Sequence, residues 1–184
     1  GVSTDLKNVE FVADVVANTK SGAVVTVDSA LQISTVWACV RLISQTVSTL
    51  PLKLYRNKAD GSREEDRTHP LYAVLCQSPS KSVTPGRFLQ VLVASMLLRG
   101  NAYVEKRFVG TRLVGLYVIP AQCVTVRREN GVLSYDVRED GKKRTLKEDQ
   151  VMHIRGFGLD DAIGLSPVAY GAEVIGASSS ANEA

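Results

Sequence analysis

The segment from Asn101 to Arg155 restricts the fold most, because short alternating apolar and polar runs are separated there by turn dipeptides. Asn130-Gly131 and Asp140-Gly141 lie between such runs, and both pairs tolerate the positive φ that two-residue hairpin turns require. Strands so close in sequence pair with their neighbours, which predicts an antiparallel meander. The predicted strands are 102–109, 113–119, 123–128, 132–138, 144–146 and 151–155.

Helices are predicted mainly before these strands. Apolar residues from Ile33 to Leu50 are spaced by three and four, which is typical of an amphipathic helix, here over 29–50. We expect Trp37 and Cys39 to lie in or beside the core with this stripe. A second helix begins with Thr84 as N-cap and Pro85 at its first position, and it ends before Gly100. Helices followed by strands predict an α+β fold.

Composition narrows the class of protein. With 184 residues and 45% hydrophobic content, the chain is long enough for one ordinary core. Its net charge of +3 permits a nucleic-acid partner without requiring one. The sequence contains no apolar run of about 18–20 residues and no secretion signal, so we expect no membrane contact and a cytoplasmic site of synthesis.

The stretch "HIRGFGLDDAIGLSPV", residues 153–168, could be a catalytic site or a connection between a strand and a helix. A hydrolase would need His153 as base, Asp160 or Asp161 as the orienting acid and Ser166 as nucleophile. The second interpretation is simpler, because Ser166 before a proline is typical of a helix N-cap. No nucleophile elbow, zinc ligand set or phosphate loop is present, so we predict no catalytic, metal or cofactor site.

Two sets of polar residues are candidates for intermolecular contact. The helix predicted over 29–50 carries few charges opposite its apolar stripe, which suits a helix that a neighbouring subunit covers. Its candidate interface residues are Arg41, Ser44, Gln45 and Ser48. The second set consists of basic residues in or beside the predicted strands, which could gather at one sheet edge and contact phosphates. Alternatively, these residues could keep the exposed hairpin ends soluble. We favour the second alternative because aromatic residues are not interleaved with the basic ones. This set is Arg127, Arg128, Lys142, Lys143 and Arg144.

Four stretches together resemble the HK97-like portal proteins of tailed bacteriophages. They are "LQISTVWACVRLISQTVSTLPLKLYR", "HPLYAVLCQSPSKSVTPGRFLQVLVASMLLRGNAYVEKR", "LYVIPAQCVTV" and "VMHIRGFGLDDAIGLSPV". Their order and spacing make the combination specific, from about Val25 to the end. The resemblance implies a portal wing-like α+β domain over 28–166, in which an antiparallel meander packs with several helices. It also implies a partly ordered leader over 1–27, and over 167–184 the start of a helix leading toward a stem.

The resemblance also implies a function. A portal is a structural ring, typically a dodecamer, at one vertex of a capsid, and double-stranded DNA passes through it during packaging and ejection. Its expected partners are copies of itself, DNA bound without sequence preference, the terminase large subunit, the major capsid protein and head-tail connector proteins. We therefore expect the chain in the virion, and in the bacterial host cytoplasm during assembly. A small stand-alone nucleic-acid-binding module remains the alternative.

Overall fold

The computed structural model describes residues 8–12, 16–18, 24–159 and 161–172. The helices in these ranges are α1 (Val27–Leu31), α2 (Ser34–Ser48), α3 (Pro70–Tyr72), α4 (Pro85–Arg99) and α5 (Pro167–Tyr170). The strands are β1 (Asn8–Val12), β2 (Val16–Asn18), β3 (Val24–Thr26), β4 (Tyr55–Asn57), β5 (Arg63–Glu65), β6 (Asn101–Val109), β7 (Arg112–Ile119), β8 (Val124–Glu129), β9 (Val132–Glu139), β10 (Lys142–Lys147) and β11 (Val151–Arg155). The fold is therefore α+β, as predicted.

The strands form two main antiparallel sheets rather than one meander. Sheet one has the order β1-β8-β9-β10, and sheet two has the order β11-β6-β7. The hairpins β6–β7, β8–β9 and β9–β10 join strands that are consecutive in sequence, as predicted. The last strand instead returns to the first long one, because β11 pairs with β6 in the register Val151↔Glu105. Two short ribbons, β2–β3 and β4–β5, complete the pairing.

The turns between strands adopt the conformations that their residues favour. Asn130 and Gly131 have φ of 52° and 84°, and Asp140 and Gly141 have φ of 51° and 72°. Positive φ at both central residues is the property of a type I′ turn, whose twist matches that of the strands it joins. The sequence prediction of hairpins at these two positions is confirmed.

Sheet two is covered on both faces because side chains alternate along β6. Tyr103 points into a cluster shared with sheet one, where Val126, Tyr135 and Val137 are buried. Its neighbours Ala102 and Val104 are buried on the opposite face, in a cluster with residues of α4. Burial of each large apolar side chain in such clusters contributes about 1.5–3 kcal/mol. The layers therefore run from sheet one through sheet two to α4.

Helix α4 begins and ends as the sequence predicts. The side chain of Thr84 accepts a hydrogen bond from the Arg87 amide at 3.3 Å, and Pro85 takes the first helical position. Gly100 closes the helix in the left-handed region with φ of 73°. Phe88 and Leu92 are buried against sheet two.

The prediction of one helix over 29–50 is wrong in two respects. The helix is interrupted at Gln32 and Ile33, so α1 and α2 are separate elements. Trp37 is 53% exposed and Cys39 is also exposed, so neither lies in the core. The reason is that α2 packs on the outer side of α4 and makes no contribution to the two clusters at sheet two.

Helix α5 is fixed to the rest of the chain by a third apolar cluster. Val168 and Ala172 are buried there with Val25 and Ala30, and Val36 and Leu98 pack against them. The part of the predicted helix beyond Ala172 lies outside the described residues. No helix in the described ranges combines the length and apolar content that crossing a membrane requires.

Candidate functional site

The stretch 153–168 begins in β11, crosses a loop and enters α5 at Pro167. The Ser166 hydroxyl oxygen accepts a hydrogen bond from the Ala169 amide at 3.3 Å, which is an N-cap. The same hydroxyl donates to the carbonyl oxygen of Leu98 at 2.8 Å. The Ser166 proton is therefore directed at a backbone carbonyl of α4, and the side chain joins two helices.

Asn101 is the residue that connects this loop to the sheet. It is 2% exposed, and its side-chain amide donates to the carbonyl oxygens of Gly164 at 2.8 Å and Arg99 at 3.1 Å. Its Oδ1 accepts from the Gly164 amide at 2.7 Å and faces His153 Nε2 at 3.0 Å. One buried side chain therefore satisfies both backbone groups of Gly164 and one nitrogen of His153.

Three glycines allow the backbones to approach one another at this connection. The Gly156 amide donates to the Gly100 carbonyl oxygen at 2.8 Å. A Cβ at Gly164 would lie 2.2 Å from that same oxygen, and a Cβ at Gly100 would lie 2.1 Å from the Leu165 carbonyl oxygen. Neither distance is possible for a side chain, so these positions require glycine whatever the chemistry of the loop.

The surroundings of His153 keep its ring neutral. Gly164 donates to Asn101 Oδ1, which fixes the orientation of the amide, so the His153 Nε2 facing Oδ1 must carry the hydrogen. Nδ1 lies 3.4 Å from the Tyr135 hydroxyl, and the ring stacks on Tyr103 with centroids 4.4 Å apart. Burial, and next the charge of Arg155, lower the His153 pKa to about 3.

The three residues of the hydrolase interpretation therefore have three separate sets of partners. His153 contacts Asn101 and Tyr135, Ser166 contacts Leu98, and Asp161 pairs with Arg128. The hydrogen bond and charge of Arg128 lower the pKa of Asp161, an exposed carboxylate. Asp160 lies outside the described residues. Within the described ranges, no group of three or more His, Cys, Asp or Glu side chains is placed to hold a metal ion.

The five candidate phosphate-binding residues are divided between the two faces of sheet one. On the outer face, Arg127 Nε and Lys143 Nζ lie 2.9 and 3.1 Å from Asp136 Oδ2. Burial raises the pKa of Asp136, but hydrogen bonds from Thr145 and Lys143 and the charge of Arg127 leave it lowered overall. This carboxylate is therefore ionised at neutral pH and offsets the charge of the two cations beside it.

The other three candidates lie on the face that carries the core. Arg128 pairs with Asp161, and Arg144 contacts Glu105 at 2.8 Å and Glu139 at 2.9 Å. Lys142 is exposed at the β9–β10 turn. Strand alternation separates these residues from Arg127 and Lys143, so the five do not form the single basic edge considered from the sequence. This arrangement gives no support to the stand-alone nucleic-acid-binding module.

The four candidate interface residues lie along α2. Ser44 is buried and donates to the Arg41 carbonyl oxygen at 3.2 Å, whereas Arg41 and Gln45 are exposed and Ser48 is half-buried. Arg41, Ser44 and Gln45 line a groove between α2 and α4, which we call the α2–α4 groove, with a volume of about 330 Å³. Trp37, also a groove residue, and Leu42 add exposed apolar surface on the same helix.

Comparisons with known proteins assign this fold to a family. The family model of phage portal proteins matches residues 34–184. The chain belongs to the phage portal protein family. The portal protein of Enterobacteria phage HK97 is 30% identical over 149 residues, which cover 79% of this chain and 35% of that protein. The HK97-type resemblance inferred from the sequence is confirmed.

Two further comparisons agree, one with a curated portal protein and one with a solved structure of similar fold. The probable portal protein of Streptomyces phage phiC31 is 36% identical over 167 residues, which cover 85% of this chain and 36% of that protein. The neck of an empty gene transfer agent particle, computed with C6 symmetry, matches with a TM-score of 0.71 and 23% identity, covering 85% of this chain and 44% of that one. This chain thus spans about a third of the two curated portal proteins, at 35% and 36%.

Sequence reasoning missed the residues that hold this region of the portal fold together. Asn101 appears only as the first polar residue after a helix, and its partner Gly164 is 63 residues away. In the sequence Gly100 marks the end of a helix and Gly156 and Gly164 appear as loop residues, although all three are needed for contact between backbones. The sequence signal that could have indicated this connection is the pair Gly100-Asn101, which lies between the end of a predicted helix and the start of a predicted strand.

Proposed function

We propose that this chain is the wing portion of a portal subunit and that it acts as a structural component without catalysis. The domain proper is residues 28–166, the leader is 1–27, and residues 167–184 lead toward a stem. The family match over residues 34–184 and the likeness of fold to a particle neck support this role. The subunit assembles with copies of itself into a ring, which we expect to be a dodecamer.

The observation of geometry that carries the proposal is the exposed apolar surface of α2. Trp37 is exposed at the α2–α4 groove, and Leu42 and Ile43 are exposed elsewhere on α2. Large exposed apolar side chains grouped on one element mark surfaces that a partner covers. In a ring every subunit has two neighbours, so such a surface is covered in the assembly and exposed in one copy.

The ring would surround double-stranded DNA at one vertex of a capsid in the virion, after assembly in the bacterial host cytoplasm. Its further partners would be the terminase large subunit, the major capsid protein and head-tail connector proteins. Contact with DNA would involve phosphates only, because a conduit must pass every sequence equally. For this contact the candidates remain Arg127, Arg128, Lys142, Lys143 and Arg144, of which Lys142 is exposed at the β9–β10 turn.

The test is the oligomeric state of the gene product that carries this chain. We expect light scattering to give the mass of a closed oligomer and negative-stain images to show rings with a central hole. A double change of Trp37→Ser and Leu42→Ser should shift the product toward smaller species, whereas Lys142→Glu should leave the rings intact. A monodisperse monomer of the unchanged product would contradict the proposal.

A further inference from the structure

A loop tip carries the two most exposed large apolar side chains in the described ranges. Phe157 is 81% exposed and Leu159 is 82% exposed. The loop is held from behind, because the Leu165 amide donates to the Phe157 carbonyl oxygen at 2.7 Å and Gly156 is fixed to Gly100. We call Phe157 and Leu159 the apolar loop tip. A rigid base with two apolar side chains in solvent is suited to insertion into a partner.

The α2–α4 groove offers an apolar surface of matching size. Its half-buried lining includes Val40, Val91 and Ala94, and its volume is about 330 Å³. Aromatic and branched side chains bury most of their area when they enter such a depression between helices. No described side chain of this copy fills it, so the groove and the loop tip are both without an apolar partner.

The charges around the two surfaces are complementary. Exposed Arg41 and Arg87 line the groove, and each guanidinium donates to a glutamine side-chain oxygen, that of Gln45 at 3.4 Å and that of Gln90 at 2.9 Å. Neither arginine has a carboxylate within 4.0 Å among the residues that the structure describes. The loop tip is followed by Asp161, whose side chain is 86% exposed although it pairs with Arg128. The exposed carboxylate of Asp161 beside the tip would thus face Arg41 and Arg87 beside the groove.

We propose that the apolar loop tip of one copy inserts into the α2–α4 groove of the next copy. The two surfaces differ, so the contact is heterologous, and heterologous contacts repeat around a ring. This inference rests on the proposed function and deepens it, because it names the surfaces that meet. Two inserted side chains bury less than the roughly 800 Å² per partner of a standard interface, so the contact anchors a larger one.

Photo-crosslinking of the gene product that carries this chain tests the contact directly. Phe157 is replaced by a benzophenone amino acid, which keeps an aromatic ring at the tip, and labelled and unlabelled subunits are mixed before assembly. We expect adducts between copies that map to α2 and α4, near Val40, Val91 or Ala94. Adducts that map to other elements, or that form only within one copy, would overturn the proposal.

Substitutions measure the contribution of the tip and use a matched control. Leu159→Ser should raise the subunit concentration needed for half assembly by about tenfold to a hundredfold, the effect of exposing one such side chain. Val109→Ser, at a residue that is 70% exposed at the end of β6, should leave it unchanged. Equal effects of both changes, or none from Leu159→Ser, would count against insertion of the tip.

A charge exchange tests the second part of the proposal. Arg87→Glu should weaken assembly, and the further change Asp161→Arg should restore part of it relative to Asp161→Arg alone, which removes the pair with Arg128 without the charge exchange. Failure of the pair to recover would contradict the proposed charge contact. Rings that form normally with an altered tip would refute this inference and leave the proposed function standing, whereas a monomeric unchanged product would refute the proposed function itself.

Discussion

Replacement of Asn101 by alanine should be among the most damaging single changes in this chain. The substitution leaves the amide and carbonyl of Gly164 and the Nε2 of His153 without their partner in a buried region. Each unsatisfied buried group costs about 1–3 kcal/mol. The costs of the three unsatisfied groups add, and partial rearrangement of the loop reduces their total. We therefore expect the free energy of unfolding to fall by about 3–5 kcal/mol, a large share of the 5–15 kcal/mol typical of a domain.

Urea unfolding followed by circular dichroism measures this loss. The matched control is Asn101→Asp, which keeps an acceptor for Gly164 and His153 but removes both amide donors. A carboxylate beside His153 favours the protonated ring, so acidification should reduce the loss in this variant relative to the unchanged protein. If Asn101→Ala costs less than about 1 kcal/mol, solvent replaces these hydrogen bonds and the connection is not held as described.

Three further predictions concern the same region. The pKa of His153 is about 3 in the folded protein and about 6.5 in the unfolded chain, so the unfolded chain binds a proton first as the pH decreases. The free energy of unfolding should therefore fall between about pH 6.5 and pH 3, and the stability that His153 contributes should be complete above about pH 6.5. A series of urea titrations should show this slope, and His153→Phe should remove most of it; a slope that persists would belong to another group. Gly164→Ala places a Cβ 2.2 Å from the Gly100 carbonyl oxygen and should prevent stable folding, whereas Gly61→Ala, with open space around it, should cost only about 1–2 kcal/mol in thermal melts. Ser166→Ala should lower stability by about 1–2 kcal/mol through loss of a cap, and an unfolded variant would show that we underestimate its bond to Leu98.

Local signals in the sequence predicted most elements but not their assembly. The turns at Asn130-Gly131 and Asp140-Gly141 and the two ends of α4 depend on backbone preferences of a few adjacent residues, so they could be read directly. The pairing of β11 with β6 joins residues about fifty positions apart, such as His153 with Tyr103, and no local pattern encodes it. The single meander was predicted because consecutive strands usually pair.

The error at α2 has a different cause. Apolar spacing shows which side of a helix avoids water, but it does not show whether the cover comes from the same chain or from another. Trp37 was therefore expected in or beside the core, although it is exposed in a single copy. The candidate interface residues Arg41 and Gln45 line the α2–α4 groove, and their contact with a neighbouring copy stays a prediction.

The glycine contacts between the loop and the end of α4 have a mechanical consequence. A pull on the chain beyond Ala172 must first overcome the bonds of Ser166 to Leu98, Gly164 to Asn101 and Gly156 to Gly100. These attachments lie before β11 along the direction of pull, so tension does not reach the end of that strand until they break. The edge strand is thus shielded from being peeled off sheet two, and the force is delivered to the junction of α4 and β6.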